Sequence, residues 1–202
     1  MLVVKTSFLI ALLLLVQPAK QKNILFFGDS LTAGYGLSAE EAFPALLEKE
    51  LNKNGKAVKV TNGGLSGETS AGGLARIDWL LRKPIDVFVL ELGANDGLRG
   101  LPLDQTRKNL QAIIEKVNEK YPAAKIVLAG MMVPPNMGKQ YTEEFKNMYP
   151  QLAKKNNATL IPFLLKDVGG IEKLNQADGI HPTAEGHKII ARNLKPIIEK
   201  ML

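Results

Sequence analysis

The sequence predicts an α/β fold, with an open, mostly parallel sheet of five strands and helices on both faces. Two observations support this prediction. Short apolar runs alternate along the chain with longer segments whose apolar residues recur at helical spacing. Residues 20–202 also contain no internal repeat and no linker, so the alternating elements are expected to form one domain with a parallel sheet.

Five segments have the character of short strands. Residues 23–27 form an apolar run that stops at Gly28, and residues 57–61 alternate apolar with polar side chains. The other predicted strands are residues 85–91, 125–129 and 159–161. Ser30, Gly67 and Asn95 each follow one of the first three strands. We expect them at one edge of the sheet, because the carboxyl ends of parallel strands meet there and ligands bind beyond them.

Five further segments have the spacing and end signals of helices. Residues 43–54 are closed by Gly55, a typical C-terminal cap, and residues 69–82 stop before Pro84. The remaining predicted helices are residues 103–119, 141–156 and 183–202, while residues 131–138 are expected to form a loop. We expect Pro150 to interrupt or end its helix and Pro196 to kink the last one.

Composition excludes several classes of function. The net charge is +6, but acidic and basic residues interleave and no basic block with aromatic residues occurs, which disfavours nucleic-acid binding. A transient contact with anionic membrane surfaces stays open. The absence of cysteine excludes disulfides, thiolate zinc sites and a cysteine nucleophile. With only two histidines in addition, we expect neither a metal site nor a cofactor.

The N-terminus differs from the rest of the chain. Lys5 precedes an unbroken apolar run at residues 8–16, which is shorter than the ~17–25 residues that span a bilayer. This pattern predicts a secretory signal peptide over residues 1–19, with Ala19 as a candidate cleavage position although Gln17 is unfavourable there. The alternative is a buried apolar segment. A signal peptide implies a periplasmic or secreted protein.

Ser30, in Gly28-Asp29-Ser30, is the candidate nucleophile. Taken alone, a serine between a strand and an expected helix start is also typical of a helix N-cap. The Gly-x-Ser-x-Gly elbow of α/β-hydrolases is absent, because Thr32 stands where its second glycine would be.

Asp178 and His181 are the candidate carboxylate and base. A serine hydroxyl is a weak nucleophile until a base removes its proton, and histidine suits this task because its pKa lies near neutral pH. A carboxylate bonded to the second ring nitrogen fixes the tautomer. Alternatively, Asp178 only satisfies backbone amides at a helix start. The second histidine, His187, lies within the last predicted helix and is interpreted as a surface or packing residue.

Three groups could stabilise the negative oxygen of a tetrahedral intermediate. The Asn95 side chain and the backbone N–H groups of Gly67 and Ser30 are suitable donors. A glycine lets a ligand approach the backbone closely because it has no Cβ. In isolation, Asn95-Asp96 fits an Asx-turn equally well and Gly67 an ordinary turn.

Together these segments resemble the SGNH hydrolases, also called the GDSL esterase/lipase family. The resemblance rests on Gly28-Asp-Ser-Leu-Thr-Ala-Gly-Tyr-Gly36, Asn62-Gly-Gly-Leu-Ser-Gly-Glu-Thr69, Gly93-Ala-Asn-Asp-Gly-Leu-Arg-Gly100 and Asp178-Gly-Ile-His-Pro182. It extends over residues 22–202 and is strongest to the bacterial branch of thioesterase I, lysophospholipase L1 and arylesterase. It implies a three-layer α/β/α, flavodoxin-like hydrolase domain over residues 20–202.

The same resemblance implies a serine esterase that hydrolyses esters or thioesters of acyl chains through an acyl-enzyme. Ser30, His181 and Asp178 would form the catalytic triad, and Ser30, Gly67 and Asn95 the oxyanion hole. The expected partner is a small ester or a lipid-like acyl substrate, and the protein is expected to act as a monomer. Deacetylation of a carbohydrate is the alternative reaction, and a non-catalytic flavodoxin-like binding protein is the alternative class.

Apolar residues in the loops after the third and fourth strands are candidates for binding an acyl chain. The predicted substrate-binding residues are Asp29, Gly97, Leu98, Leu101, Pro134 and Tyr141. Ordinary packing between loops explains the apolar residues equally well.

Overall fold

The structure is a computed structural model that describes residues 21–53 and 55–202. The predicted signal peptide, residues 1–19, lies outside the described residues and stays a prediction. Within the described ranges, no helix is both long and apolar enough to cross a membrane.

Five strands form a single sheet. They are β1 (Lys22–Gly28), β2 (Val58–Gly64), β3 (Val87–Glu91), β4 (Lys125–Ala129) and β5 (Thr159–Ile161). Their order is β2-β1-β3-β4-β5 and every pairing is parallel, which confirms the predicted parallel sheet. Because β1 lies between β2 and β3, the loops after these three strands are neighbours at the carboxyl edge, where the strand order reverses.

Helices cover both faces of the sheet. They are α1 (Ser30–Ala33), α2 (Phe43–Lys53), α3 (Ser70–Leu80), α4 (Ala94–Leu98), α5 (Leu103–Lys120), α6 (Lys139–Lys155) and α7 (Ala184–Glu199), with short 3-10 turns at Pro135–Met137 and Glu172–Leu174. Helix α2 packs beside α7, and α3 beside α5, which in turn contacts α6. The predicted three-layer α/β/α architecture is therefore confirmed.

The core lies between the sheet and these helices. Adjacent residues of β1 point to opposite faces, as in any strand. Phe26 packs edge-on against Phe43 of α2, with ring centroids 5.4 Å apart. Phe27 packs against Phe88 of β3 and beneath the guanidinium of Arg76 in α3. All five side chains of β3 are buried, as expected for a strand covered on both faces.

The structure departs from the sequence-based prediction in three places. Strand β2 continues to Gly64, three residues beyond the predicted strand end at residue 61, and the short helix α4 was not predicted. Helix α6 runs unbroken through Pro150, so the expected interruption there is wrong. Helix α7 continues through Pro196, and the kink expected there stays a prediction. Both prolines are exposed, so the hydrogen bond that each removes lies at the solvent side while the opposite face stays packed.

His187 is a packing residue and not a surface one. Its Nδ1 accepts a hydrogen bond of 3.0 Å from the backbone N–H of Phe43, and its ring stacks on the Phe43 ring. Burial lowers the pKa of His187 to about 4, because the charged form would lose its hydration. The neutral imidazole thus joins α7 to the start of α2.

The close contact between β2 and α1 gives a test of the fold. A Cβ atom on Gly64 would lie 2.2 Å from the backbone nitrogen of Ala33, so Gly64→Ala must push α1 away from the sheet. We expect this substitution to lower the free energy of unfolding by about 1–3 kcal/mol, measured by urea denaturation.

Gly72→Ala in α3 is the matched control. Its new Cβ would make an ordinary contact of 3.4 Å with Glu68, and alanine favours a helix interior by about 0.5–1 kcal/mol over glycine. Equal stabilities of the two variants would contradict the assigned role of Gly64.

Candidate active site

A tight turn at the end of β1 presents Ser30. Asp29 caps α1 by accepting a hydrogen bond of 3.0 Å from the Leu31 N–H, and Ser30 is the first residue of this helix. Gly28 has no room for a side chain, since a Cβ there would lie 2.2 Å from the Thr32 hydroxyl oxygen. The turn therefore depends on glycine, and it sets the Ser30 hydroxyl at the carboxyl edge of the sheet.

Ser30, His181 and Asp178 form one line of hydrogen bonds. The Ser30 Oγ lies 2.9 Å from His181 Nε2, and His181 Nδ1 lies 2.6 Å from Asp178 Oδ2. The carboxylate can only accept, so Nδ1 carries the proton of the neutral ring and Nε2 is left to accept from the Ser30 hydroxyl. This is the tautomer in which the imidazole can take the serine proton.

The loop around Asp178 orients both of its carboxylate oxygens. Oδ1 accepts from the backbone N–H groups of Ile180 and His181, at 2.8 and 3.0 Å, while Oδ2 faces the imidazole. Both interpretations from the sequence therefore describe part of the geometry, because one oxygen satisfies backbone amides and the other holds the base. The His181 hydrogen bond, followed by the backbone ones, lowers the pKa of Asp178 to about 2.

Gln176 and Tyr35 connect the loop that carries Asp178 and His181 to the segment that carries Ser30. The Gln176 side-chain amide donates to the Tyr35 carbonyl, at 2.7 Å, and to the Pro182 carbonyl, at 3.0 Å. The Tyr35 ring packs against the His181 ring, with centroids 4.5 Å apart. These contacts hold the loop of His181 against the segment that follows Ser30. Neither residue was singled out from the sequence.

The three predicted oxyanion donors surround the carboxyl end of β1. Asn95 lies in α4, directly after β3, and its side-chain amide donates to Asp29 Oδ2 at 3.2 Å, which leaves its second N–H free to donate. Gly67 has a φ of +77°, a conformation that favours glycine. Within the described part of the chain, the backbone N–H groups of Ser30 and Gly67 donate to no other group.

A buried polar network joins the loops that carry Gly67 and Asn95. The Asp96 carboxylate accepts from the Ser70 N–H at 2.8 Å, from the Ser70 hydroxyl at 2.5 Å and from the Thr106 hydroxyl at 3.2 Å. Sequence reasoning treated Asp96 only as part of a turn. The sequence did show that Asp96 adjoins Asn95 and that Ser70 lies three residues after Gly67. The hydrogen bonds between Asp96 and Ser70 are visible only in the folded chain.

Gly67 is further fixed by two arginines. Arg99 donates to the Gly67 carbonyl at 3.0 Å. Arg76 forms an ion pair with the buried Glu68, the next residue in the chain, and also donates to the Gly63 carbonyl at 2.8 Å. The loop is thus anchored on both sides of Gly67.

An apolar pocket of about 460 Å³ opens beside Ser30 and His181. Its apolar lining consists of Leu31, Ala94, Leu98, Met131, Met132, Val133, Pro134, Phe163, Leu165 and Ile180. In the described residues, no group of three or more potential ligand side chains is placed to hold a metal ion. The site offers a serine, a base and an apolar cavity.

Only some of the predicted substrate-binding residues line this pocket. Leu98 and Pro134 do, and Asp29 lies at its base with its carboxylate turned to Leu31 and Asn95. The remaining three lie outside it.

Packing explains why those three residues lie outside the pocket. Gly97 is covered by Val133 and Phe145, since a Cβ would meet them at 2.5 and 2.6 Å. The Tyr141 hydroxyl donates to the Leu101 carbonyl at 2.9 Å, so these two residues join helix α6 to the segment between α4 and α5. Ile180, by contrast, lines the pocket, and its place between Asp178 and His181 was the only signal for this in the sequence.

The pKa of Asp178 tests the geometry directly. Since the folded pKa is about 2 and the ordinary value 3.8, the carboxylate contributes stability above about pH 4 that is lost as the pH falls toward 2. Carbon-detected NMR should give a pKa near 2 in the wild type. In His181→Ala it should rise toward 3.8, because the largest contribution is gone. An unchanged value would contradict the hydrogen bond to the imidazole.

Comparisons with known proteins show which family the chain belongs to. Esterase TesA of Pseudomonas aeruginosa is 40% identical over 195 residues, which cover 96% of each chain. Thioesterase 1/protease 1/lysophospholipase L1 of Escherichia coli K12 is 39% identical over 95% of this chain and 92% of its own. The crystal structure of the psychrotrophic esterase EstA from Pseudoalteromonas sp., inhibited by monoethylphosphonate, superposes with a TM-score of 0.84 at 35% identity, covering 89% of this chain and 97% of that one. Residues 26–189 match the profile of the GDSL-like Lipase/Acylhydrolase family, and the chain belongs to that family.

Proposed function

We propose that this protein is a serine esterase that hydrolyses esters or thioesters of acyl chains. The observation that carries the proposal is the hydrogen bond of 2.9 Å between Ser30 Oγ and His181 Nε2 at the mouth of an apolar pocket. Membership of a family of lipases and acylhydrolases supports it, as do relatives named as esterases and thioesterases.

In the first half of the reaction Ser30 Oγ attacks the carbonyl carbon while His181 Nε2 takes its proton. The carbonyl oxygen becomes an oxyanion, which accepts hydrogen bonds from the N–H groups of Ser30 and Gly67 and from the Asn95 amide. Asp178 stabilises the imidazolium through Nδ1. The intermediate then collapses, His181 returns the proton to the leaving alcohol or thiol, and the acyl group stays on Ser30.

In the second half a water molecule replaces the leaving group. His181 takes a proton from this water as its oxygen attacks the acyl carbon, and the same donors hold the new oxyanion. Collapse breaks the bond to Ser30 Oγ, which recovers its proton from His181, and the carboxylic acid is released. The two halves are related by symmetry, so one base and one set of donors serve both.

The pocket beside Ser30 supports a substrate with an acyl chain longer than acetyl. Its walls are aliphatic, aromatic and thioether side chains, and its volume of about 460 Å³ is in the usual range for ligand pockets. Two methionines, Met131 and Met132, add an adaptable surface that suits chains of different length.

A series of p-nitrophenyl esters tests this proposal. Burying one methylene contributes about 0.8 kcal/mol, so kcat/KM should rise by up to about fourfold per added methylene from acetyl to hexanoyl. A preference confined to acetyl would instead favour the carbohydrate deacetylase. The absence of any ester or thioester hydrolysis would contradict the proposed function as a whole.

Two leucines of similar exposure make the series specific to the pocket. Leu98, at 40% exposure, lines it, whereas Leu101, at 38%, does not. We expect Leu98→Ser to flatten the dependence on chain length and Leu101→Ser to leave it unchanged. The opposite pattern would show that the acyl chain lies elsewhere.

A further inference from the structure

A buried carboxyl group that the reaction does not use lies directly behind the nucleophile. Glu91 is the last residue of β3, and its side chain is completely buried. Burying a carboxyl group is costly unless it is hydrogen-bonded or neutral. A carboxyl group in a fully buried strand therefore needs a structural or functional explanation.

One oxygen of Glu91 joins the two sides of the nucleophile turn. Oε2 accepts from the Asp29 N–H at 3.1 Å and from the Thr32 hydroxyl at 2.7 Å. These residues precede and follow Ser30 by one and two positions. Gly28 leaves space for the carboxyl, since a Cβ there would lie 2.3 Å from Oε2.

The Asp29 carboxylate connects this turn to Asn95, the proposed oxyanion donor. Asp29 is almost fully buried, and its two oxygens accept from the Leu31 N–H and from the Asn95 side-chain amide. One chain of contacts thus runs from Glu91 through Asp29 to Asn95, with Ser30 beside its middle.

The pKa values of the two buried carboxyl groups, Glu91 and Asp29, are both raised. Burial and the charge of Asp29 raise the pKa of Glu91 well above its ordinary range, and burial raises that of Asp29 to about 6. The direct interaction of the two side chains raises the pKa of Glu91 and lowers that of Asp29, so Glu91 holds the proton. Glu91 Oε1 has no hydrogen-bond partner within the described chain, which costs less free energy for a neutral carboxyl group than for a charged one.

We propose that Glu91 is a positioning residue for ester hydrolysis, which fixes the Ser30 turn through Asp29 and Thr32 and sets the Asn95 amide through the Asp29 carboxylate. The inference rests on the proposed function, because its effect is measured on hydrolysis. It assigns Glu91 no contact with substrate. Its effect should fall on the transition state, where the nucleophile and the oxyanion donor must be aligned together.

Two substitutions at Glu91 separate positioning from charge. Glu91→Met keeps a similar volume and removes the acceptor of both hydrogen bonds. It should lower kcat by about 10- to 100-fold with KM changed less than about threefold, since small misplacements of reacting groups cost up to about 10² in rate. Glu91→Gln keeps a neutral acceptor and a donor toward Asp29, so it should retain kcat within about threefold.

Loss of stability is controlled separately. Val117→Ala, in the buried face of α5, should lower the melting temperature without changing kcat at a temperature well below melting. If Glu91→Met does not fold, Thr32→Val removes one of the two bonds at nearly constant shape and should lower kcat by about three- to tenfold.

A double-mutant cycle tests the link to Asn95. Asn95→Ala alone should cost about 10²–10³ in kcat. Adding Glu91→Met, or Thr32→Val where the former is unfolded, should cost at least threefold less than in the wild-type background, because part of its effect passes through Asn95. Full additivity would overturn that part of the proposal.

Other outcomes overturn the proposal without touching the proposed function. Wild-type kcat in both Glu91→Met and Thr32→Val would show that Glu91 positions nothing, and a Glu91→Gln variant as slow as Glu91→Met would show that a negative charge is required. Inactivity of the wild type itself toward esters and thioesters would instead refute the proposed function.

Discussion

The carboxyl end of β1 is the constraint on which the rest of the site depends. Here the chain must turn so closely that Gly28 has no room for a Cβ between Thr32 and Glu91. Because β1 lies between β2 and β3, the loop that bears Gly67 and the helix that bears Asn95 flank the same point. The sheet order thus brings the proposed nucleophile and the proposed oxyanion donors together from segments far apart in the chain.

Buried acidic groups are concentrated around this turn and not spread through the core. Asp29, Glu68, Glu91 and Asp96 are all buried, and each bonds a residue of a neighbouring loop or helix. Buried polar groups lower the stability of the fold unless they are paired. Here they are paired, and their hydrogen bonds hold the loops around Ser30 in one geometry. The apolar pocket beside Ser30 has the opposite character, since its lining includes methionine side chains, which adapt readily. Residues held by buried hydrogen bonds therefore lie beside a pocket whose lining can adapt.

Much of this arrangement was predictable from the sequence, and the limits have physical causes. Alternation of apolar runs and helical spacing predicted all five strands and the parallel sheet, because periodicity reports burial. The proposed triad of Ser30, His181 and Asp178 was recognisable because few residue types can perform its chemistry and because the surrounding motifs resemble those of the SGNH hydrolases. The interruption expected at Pro150 was wrong, since a proline on the exposed face of a well-packed helix can leave the helix continuous. The sequence predicted that Glu91 lies in a strand but not that it bonds the Ser30 turn. Its hydrogen bonds with Asp29 and Thr32 join residues about 60 positions apart, which only the fold brings together.

The central claim is that His181 activates Ser30 as a nucleophile. A fluorophosphonate probe reacts covalently with such a serine, and peptide mass spectrometry locates the adduct. The wild type should carry one adduct, on Ser30. Ser30→Ala should carry none, and labelling of His181→Ala should be slower by several orders of magnitude. Labelling at another serine, or equal rates with and without His181, would contradict the account.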